Sequence, residues 1–290
     1  MMPPAQHLRA LLKQPPPLLM PCCFDALSAR LIESARFPLT FMSGFAVSAA
    51  RLALPDVGLI SYGEMLDQGR SICGAVTIPV IGDADTGYGS AANVKRTVQG
   101  YANAGFAAVM IEDQVWPKRC GHTEGKAIVD RTEAVRRIRA AVDARNEGAD
   151  ILILARTDAR AIAGLDEAIA RARAFADAGA DILFVEAPRS EDELAAVGRS
   201  LPAPLLVNML EGGDTPWLPP ARLAELGFSI IAYPLTLLSA AVRAMQDVLG
   251  VIQSEQSAEP HILPFADLRR IVGFEDHARD ERRYADGPRP

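Results

Sequence analysis

Short apolar runs alternate with helical patterns along most of this chain, and this alternation constrains the fold more than any other feature. Eight runs have the length of a strand: Leu18–Cys23, Leu39–Ser43, Ile78–Ala84, Ala107–Asp113, Ile151–Arg156, Ile182–Glu186, Leu205–Asn208 and Ser229–Tyr233. Between them, apolar residues recur at three- and four-residue spacing, most clearly in Asp25–Ala35, Asn93–Ala104, Thr132–Asn146, Asp166–Ala178 and Glu191–Gly198. Near-continuous apolar runs such as ILILA are typical of parallel strands that are buried on both faces.

Strands and helices in strict alternation predict a closed (β/α)8 barrel. An open, doubly wound sheet is the alternative, but no G-x-G-x-x-G follows the first strand, which counts against it. We expect residues 1–252 to form the barrel, which would be the catalytic domain. We expect residues 253–290 to form a linker, beginning with the polar stretch Gln253–Pro260, and a C-terminal helical segment that includes Phe265–Gly273. This segment would pack on the barrel or on a neighbouring subunit.

Composition excludes several classes of protein. The net charge is −6, without a basic cluster that would bind nucleic acid or an anionic membrane. No apolar run approaches the ~18 residues of a membrane-spanning helix, and no targeting segment is evident. The four cysteines form no C-x-x-C pair, so we expect neither a disulfide framework nor a structural zinc site. The sequence therefore predicts a cytoplasmic protein with reduced thiols.

Polar side chains end almost every predicted strand. They are Ser43, Asp83, Asp85, Glu112, Asp113, Arg156, Asp158, Glu186 and Asn208. Because the carboxyl ends of the strands carry the active site of such a barrel, we expect these groups to converge. Clustered carboxylates repel one another, so Asp83, Asp85 and Glu112 predict a hard cation, Mg²⁺ or Mn²⁺. Arg156, fixed at a strand end, is suited to binding a substrate carboxylate in a bidentate manner.

The fourth strand is followed by a long connection, residues 114–131, that is rich in glycine, proline and charge. A structureless stretch of this length usually forms a lid or a binding loop. Cys120 lies in it beside Lys118, Arg119 and His122, and such cationic neighbours favour a reactive thiolate. Because a mobile loop suits a proton donor that arrives on closure, we expect Cys120 to protonate the substrate when the loop closes.

The chain resembles the isocitrate lyase/phosphoenolpyruvate mutase superfamily over nearly its whole length. The stretches that carry the resemblance are F-D-A-L-S-A-R-L (24–31), S-G (43–44), P-D-V-G-L-I-S (55–61), D-A-D-T-G-Y-G (83–89), I-E-D-Q (111–114), K-R-C-G-H (118–122), A-R-T-D-A (155–159) and Y-P-L (233–235). Their order and spacing are highly specific. The resemblance is strongest to the 2-methylisocitrate lyase, 2,3-dimethylmalate lyase and petal death protein branch.

The resemblance implies a role for each matching residue. Asp83 is expected to bind Mg²⁺ directly, Asp85 and Glu112 to hold its waters, and Asp56 to lie near this shell. Ser43 and Gly44 would cradle an α-keto acid, Arg156 would bind its carboxylate, and Glu186 and Asn208 would line the other half of the substrate. Lys118, Cys120 and His122 would lie on a gating loop. The resemblance further implies a homotetramer that exchanges C-terminal helices.

The K-R-C-G-H loop favours a carbon–carbon lyase. In the superfamily that the chain resembles, the phosphonomutase and phosphonate hydrolase branches both lack this cysteine. Cleavage of a 2-hydroxy-dicarboxylate between C2 and C3 leaves a basic carbon, and a thiol with a pKa of about 8.5 is a better acid than water, at about 15.7. The stretch Asn208-Met209-Leu210-Glu211-Gly212-Gly213 resembles the dimethylmalate lyases, and Leu210 indicates a less polar pocket at C3. The substrate would therefore be an alkylmalate or a methylisocitrate-type acid, cleaved to pyruvate or another α-keto acid and a carboxylate.

Three alternatives remain open. They are a phosphonomutase of the carboxyphosphonoenolpyruvate type, an oxaloacetate hydrolase that uses the same site to activate water, and a barrel that binds without catalysing. The complete acidic set and the cysteine loop disfavour the last of these.

Overall fold

In the computed structural model, residues 2–121, 125–202 and 204–285 are described. The chain forms two compact units, Met1–Leu238 and Ser239–Pro290. The boundary expected at residue 252 lies near the end of a helix, Thr236–Gln253, that begins in the first unit. Within the described residues no helix combines the length and apolar character that crossing a bilayer requires.

Eight parallel strands form a closed barrel in sequence order, which confirms the predicted fold and excludes the open sheet. The strands are β1 (Leu18–Cys23), β2 (Thr40–Met42), β3 (Val80–Asp83), β4 (Ala108–Glu112), β5 (Leu152–Thr157), β6 (Ile182–Val185), β7 (Leu205–Asn208) and β8 (Ile230–Tyr233). The barrel closes where β1 pairs with β8, with Leu18 opposite Ile230. Nearly every strand residue is buried, as expected of a sheet with its lumen filled and helices outside.

The helices of the first unit are α1 (Pro4–Leu11), α2 (Ala26–Ser34), α3 (Gly44–Leu52), α4 (Tyr62–Ala75), α5 (Ala91–Asn103), α6 (Arg131–Asn146), α7 (Ala159–Ala163), α8 (Leu165–Asp177), α9 (Glu191–Ser200) and α10 (Pro220–Glu225). Local sequence fixes where several of them begin. Asp25 accepts a hydrogen bond from the backbone N–H of Ser28, and Ser61 and Glu64 form a capping box at the start of α4.

Alternation along each strand divides the core into two layers. In β4, Val109 and Ile111 join the outer layer beneath the helices, whereas Ala108 and Met110 join the inner layer. Helix α1 adds Leu8 to the inner layer, which also contains the first residues of several strands. Successive residues at a strand end therefore project to opposite sides of the sheet, and this places some terminal side chains over the lumen and others under the helices.

The second unit contains the remainder of α11 (Thr236–Gln253), a short 3-10 helix (Glu259–His261), α12 (Phe265–Ile271) and α13 (Phe274–Ala285). The expected helix at Phe265–Gly273 is present and ends two residues earlier, at Ile271; α13 follows it and was not expected from the sequence. Arg269 lies over the rings of Phe265 and Phe274, with its guanidinium carbon 5.9 and 5.0 Å from their centroids. Large apolar side chains of this unit are exposed, among them Met245, Leu249 and Phe265.

Candidate active site

A cavity lies at the carboxyl ends of the strands. Predicted site residues line it: Ser43, Asp56, Asp83, Lys118, Cys120, Arg156, Glu186 and Asn208. Apolar side chains line much of the rest, including Phe45, Leu206, Leu210, Pro234 and Leu235. The structure thus brings together residues that are more than 160 positions apart in the sequence. His122 lies outside the described residues.

A group of four buried carboxylates, from Asp56, Asp83, Asp85 and Glu112, lies at one side of this mouth. The ammonium nitrogen of Lys118 lies 2.5 Å from Asp56 Oδ1 and 2.8 Å from Asp85 Oδ1. Burial raises the pKa of Asp83, and it raises the pKa of Asp85 to about 7, while Lys118 opposes both shifts. Burial also raises the pKa of Glu112 well above its ordinary value, with Arg156 opposing. We call Asp56, Asp83, Asp85, Glu112 and Lys118 the Asp85 group.

The D-A-D-T-G-Y-G stretch has an unusual backbone conformation at Asp85. Asp85 has φ of 48°, in the left-handed region that few residues other than glycine adopt, and Gly87 follows with φ of 87°. The backbone N–H of Asp85 donates to Asp83 Oδ1 at 3.0 Å. Tight backbone turns of this kind, at some cost in conformational energy, are common at functional sites.

Three carboxylate oxygens of the Asp85 group are buried and accept no hydrogen bond from the described residues: Asp85 Oδ1, Asp85 Oδ2 and Glu112 Oε1. Asp85 Oδ1 forms the ion pair with Lys118, so Asp85 Oδ2 and Glu112 Oε1 are the two without such a contact. Among the described residues, no three acidic, histidine or cysteine side chains surround a single point closely enough to hold a metal ion. The donor set nevertheless fits a hard divalent cation, because it consists of carboxylate oxygens and two of them lack a partner. In this conformation the ammonium of Lys118 supplies the positive charge.

Ser43 and Gly44 face the same carboxylates from the start of α3. Ser43 caps the helix by accepting a hydrogen bond from the backbone N–H of Ala46, and the N–H of Gly44 donates to Asp83 Oδ2 at 3.2 Å. A Cβ atom on Gly44 would lie 2.6 Å from that oxygen, so only glycine allows this approach. The helix N-terminus therefore adds partial positive charge beside Asp83.

Arg156, at the end of β5, is surrounded by protein carboxylates. Its Nε and Nη2 donate to the two oxygens of Asp158 at 2.9 and 3.0 Å, and Nη2 also lies 3.1 Å from Glu186 Oε2. Nε lies 3.4 Å from Glu112 Oε2. Within the described part of the chain Nη1 is the guanidinium nitrogen without a protein hydrogen bond. The sequence analysis did not anticipate that Asp158 would hold this arginine, although the A-R-T-D stretch places the two residues together.

Glu186 and Asn208 lie side by side at the ends of β6 and β7. Asn208 Nδ2 is 3.3 Å from Glu186 Oε2, and both residues line the cavity. Phe45, Leu206, Leu210, Pro234 and Leu235 complete the lining of this cavity. Because the cavity combines carboxylates, one arginine and an apolar wall, it is suited to a small branched carboxylic acid.

The connection after β4 is not structureless throughout, contrary to expectation. Gln114 pairs with Ile128 in an antiparallel bridge, and its side chain exchanges hydrogen bonds with the backbone of Arg119. The bridge ties the two ends of the connection together. Cys120 is partly buried and lines the cavity, whereas Lys118, expected to stay beside the thiol, is directed into the Asp85 group. The strong attraction of buried carboxylates explains this difference.

The chain matches the phosphoenolpyruvate phosphomutase family over residues 8–253. The 2,3-dimethylmalate lyase of Eubacterium barkeri is 40% identical over 286 residues, covering 98% of this chain and 99% of that protein. The 2-methylisocitrate lyase of Aeropyrum pernix is 40% identical over 280 residues, covering 95% and 89%. The chloroplastic carboxyvinyl-carboxyphosphonate phosphorylmutase of Arabidopsis thaliana is 42% identical over 275 residues, covering 92% and 81%.

Solved structures agree in fold over nearly the whole chain. Oxaloacetate acetylhydrolase in complex with 3,3-difluorooxalacetate has a TM-score of 0.94 at 33% identity, covering 99% of both chains. A trigonal crystal form of 2,3-dimethylmalate lyase, described as a PEP mutase/isocitrate lyase superfamily member, has a TM-score of 0.92 at 37% identity, covering 100% of this chain and 99% of the other. Phosphonopyruvate hydrolase in complex with oxalate and Mg²⁺ has a TM-score of 0.88 at 31% identity, covering 98% and 100%.

These likenesses confirm the resemblance inferred from the sequence motifs. They cover nearly the whole chain. The chain belongs to the phosphoenolpyruvate phosphomutase family, within the PEP mutase/isocitrate lyase superfamily.

Proposed function

We propose that this protein is a Mg²⁺-dependent carbon–carbon lyase that cleaves an alkylmalate to an α-keto acid and a carboxylate. One observation carries the proposal: Cys120 lines the same cavity as Asp83 and Arg156. A thiol at that place can deliver a proton to the carbon released on cleavage. Lyases acting on 2,3-dimethylmalate and 2-methylisocitrate are among the relatives, which supports this choice of reaction.

The oxygens of Asp83, Asp85 and Glu112 would hold the cation, with Asp56 outside them. A bound Mg²⁺ would polarise the C2 oxygen of the substrate as that oxygen becomes a carbonyl. Mn²⁺ satisfies the same oxygen donors. The structure of phosphonopyruvate hydrolase with oxalate and Mg²⁺ supports the assignment.

Protein groups would do the remaining work around the substrate. The Nη1 donors of Arg156 are available to the keto-acid carboxylate, and the N-terminus of α3 at Ser43 and Gly44 favours negative charge. As the C2–C3 bond breaks, its electron pair would pass to C3, which would take the proton of the Cys120 S–H. The C2 hydroxyl would lose its proton to a solvent base as it becomes the carbonyl oxygen, and solvent would return a proton to the Cys120 thiolate. Glu186 and Asn208 would orient the departing half. Lys118 and, by family resemblance, His122 would assist from the loop.

The apolar residues that line the cavity favour an alkylmalate as the substrate over an acid with a further carboxymethyl arm. Leu206, Leu210 and Leu235 offer no hydrogen bond to a third carboxylate, whereas burying an alkyl group against them contributes about 0.8 kcal/mol per CH₂. A carboxylate buried there without a partner would be strongly disfavoured.

A substrate panel tests the proposal. Pyruvate release is measured with 2-methylmalate, 2,3-dimethylmalate and 2-methylisocitrate, in EDTA and then after Mg²⁺ is restored. We expect turnover only with the metal, and a higher kcat/KM for the alkylmalates. Metal-independent turnover would contradict the mechanism. Oxalate release from oxaloacetate, or conversion of phosphonopyruvate followed by ³¹P NMR, would instead favour the hydrolase or the phosphonomutase.

We further propose a cytoplasmic homotetramer that exchanges its C-terminal helices. The exposed apolar side chains on α11 and α12 support an interface between subunits, since large exposed apolar surfaces usually mark interaction sites. Within the described residues no disulfide bond joins the four cysteines, which supports a reducing compartment. Light scattering of the full chain is expected to give four subunits, and of Leu249→Asp a smaller particle.

A further inference from the structure

The loop segment Lys118–Gly121, which carries Cys120, is held by buried lysines on both sides. Lys118 begins the segment, and its side chain is only 3% exposed among Asp56 and Asp85. Lys126 follows the segment, and its side chain is 5% exposed. Buried lysines are rare and normally have partners that offset the loss of hydration. Lys118 belongs to the site already described, whereas Lys126 has no part in the proposed chemistry.

Lys126 makes two contacts that connect the segment to the barrel. Its Nζ donates to the backbone carbonyl of Gly121 and to Asp158 Oδ1, the latter at 3.2 Å. The same Oδ1 accepts from Arg156 Nη2 at 3.0 Å. One fully buried carboxylate oxygen is therefore shared by the lysine that holds the loop and by the arginine that lines the cavity.

Asp158 is itself rigidly placed, so it can serve as a fixed point. Its backbone N–H donates to Asp113 Oδ1 at 2.9 Å, and Asp113 also accepts from Thr157 at 2.7 Å and from Arg171 at 3.1 Å. A lysine bound to such a carboxylate has few alternative positions. The Gly121 carbonyl that it holds is then fixed relative to the end of β5.

The backbone at Gly121 lies so close to Arg156 and Glu186 that a side chain at this position would clash with them. A Cβ atom there would lie 2.4 Å from Arg156 Nη2 and 2.5 Å from Glu186 Oε2. The segment thus lies directly against the residues that line the cavity. Because Cys120 precedes Gly121, whatever fixes the Gly121 carbonyl also restrains the backbone that carries the Cys120 thiol.

We propose that Lys126 is a positioning residue that holds the segment Lys118–Gly121, and with it the Cys120 thiol, over the cavity by bridging the Gly121 carbonyl to Asp158. The proposal deepens the proposed function and rests on it for its catalytic consequence. The positional part stands on the contacts alone. Lys126 acts through Cys120 and Arg156 and contacts no substrate.

Thiol alkylation tests the positional part without any substrate. The full-length protein is treated with iodoacetamide, and alkylation of the Cys120 peptide is followed by mass spectrometry, with Cys73 in the same digest as reference. In Lys126→Met we expect Cys120 to be alkylated about tenfold faster, because the segment is released from the cavity. Lys126→Arg, which retains two or more donors, should stay within about threefold of wild type.

The matched control is Lys95→Met. Lys95 also pairs with an acid, Glu147, at 2.6 Å, but its side chain is 45% exposed and lies on α5 away from the loop. It should leave Cys120 alkylation unchanged. If Lys126→Met failed to fold, the buried Cys22 and Cys23 would also be alkylated, and Lys126→Gln, which keeps a donor, would be used in its place. Wild-type alkylation in a folded Lys126→Met or Lys126→Gln protein would overturn the proposal.

Kinetics then test the catalytic consequence. In Lys126→Met we expect kcat for the alkylmalate to fall by about 10- to 100-fold, as for a small misplacement of a reacting group, with KM within about threefold. Lys126→Arg should restore most of kcat. Faster alkylation without turnover by any variant, wild type included, would refute the proposed function and leave the positioning role intact. Faster alkylation with unchanged kcat would refute the catalytic consequence.

Discussion

Two groups of buried charged side chains lie at the carboxyl ends of neighbouring strands, and their hydrogen bonding differs. In the Asp85 group, Asp85 Oδ2 and Glu112 Oε1 are buried with no hydrogen bond or ion pair from the part of the chain that the structure describes. Asp113, by contrast, accepts from the backbone of Asp158, from Thr157 and from Arg171, so both of its oxygens are satisfied. We call Asp113, Thr157 and Arg171 the Asp113 group. Carboxylates whose oxygens are all hydrogen-bonded are expected to stabilise the fold, whereas buried carboxylate oxygens without partners indicate a ligand-binding site.

The comparison also shows why adjacent acids have different roles. Glu112 and Asp113 are neighbours at the end of β4, and successive strand residues project to opposite faces. Glu112 lies within 3.4 Å of Arg156 at the cavity, whereas Asp113 pairs with Arg171 on helix α8. Two consecutive residues, Glu112 and Asp113, therefore occupy a ligand-binding position and a structural position.

Replacing one acid in each group tests the difference between the two groups with the largest expected effects. For Asp83→Asn we expect kcat/KM to fall by about 10³-fold or more, because several kcal/mol of stabilisation of the transition state are lost. The Tm of the metal-free protein should stay the same or rise, since one of four repelling carboxylates is removed. Steady-state kinetics and calorimetry on the same preparations measure both effects.

Asp113→Ala is the matched variant. Removing one partner of a buried pair costs about 3–5 kcal/mol, so its free energy of unfolding in urea should fall by that amount. Activity per folded molecule should change far less than in Asp83→Asn. The distinction between the groups is wrong if Asp83→Asn destabilises the metal-free protein as strongly as Asp113→Ala does.

The thiol of Cys120 provides the next test. In Cys120→Ser the proton donor is replaced by a much weaker acid, and we expect kcat to fall by about 10²- to 10⁴-fold. Binding of Mn²⁺ should be unchanged, because the thiol is not one of the proposed ligands. Wild-type turnover by this variant would show that the proton comes from elsewhere.

The sequence predicted the barrel and the location of its mouth because both follow from periodicity and strand polarity. All eight strands were placed, and most of the proposed site residues line one cavity. Strand polarity alone does not distinguish Asp83 from Asp113, since both are acids at strand ends, and it was the resemblance to a known superfamily that singled out Asp83 as the expected metal ligand. The sequence could not place Lys118 or Lys126, because burial of a loop lysine depends on tertiary contacts that have no local pattern.

The dependence of stability on pH should report the titration of Asp85 in the metal-free protein. Burial raises the pKa of Asp85 to about 7, so the folded state keeps a proton that the unfolded chain releases above about pH 4. The free energy of unfolding should therefore fall, by up to a few kcal/mol, as pH rises from about 5 to 7, and then level off. Urea titrations in EDTA measure this slope.

Asp85→Asn is the control for that measurement and should reduce the slope between pH 5 and 7, with the remainder coming from Asp83, Glu112 and Asp113, whose pKa values burial also raises. Saturating Mg²⁺ should also flatten it, because a bound cation lowers the pKa of the carboxylates that hold it. A slope that is unchanged in Asp85→Asn would assign the titration to another group.

The smallest effect is expected at Gly121. In Gly121→Ala the new Cβ would crowd the ends of Arg156 and Glu186, which are side-chain atoms that can shift. We expect kcat to fall by about tenfold, with Tm nearly unchanged. An unaltered kcat would show that the loop need not lie against Arg156 during turnover.

Electron paramagnetic resonance can follow the binding of Mn²⁺ to the metal-stripped protein, and this measurement shows whether the Asp85 group holds a divalent cation. We predict one saturable site per chain that is abolished in Asp83→Asn, weakened in Asp85→Asn and retained in Asp113→Asn. Absence of saturable binding to the wild-type protein, or equal binding to all of these variants, would contradict the view that the carboxylates of the Asp85 group hold a divalent cation.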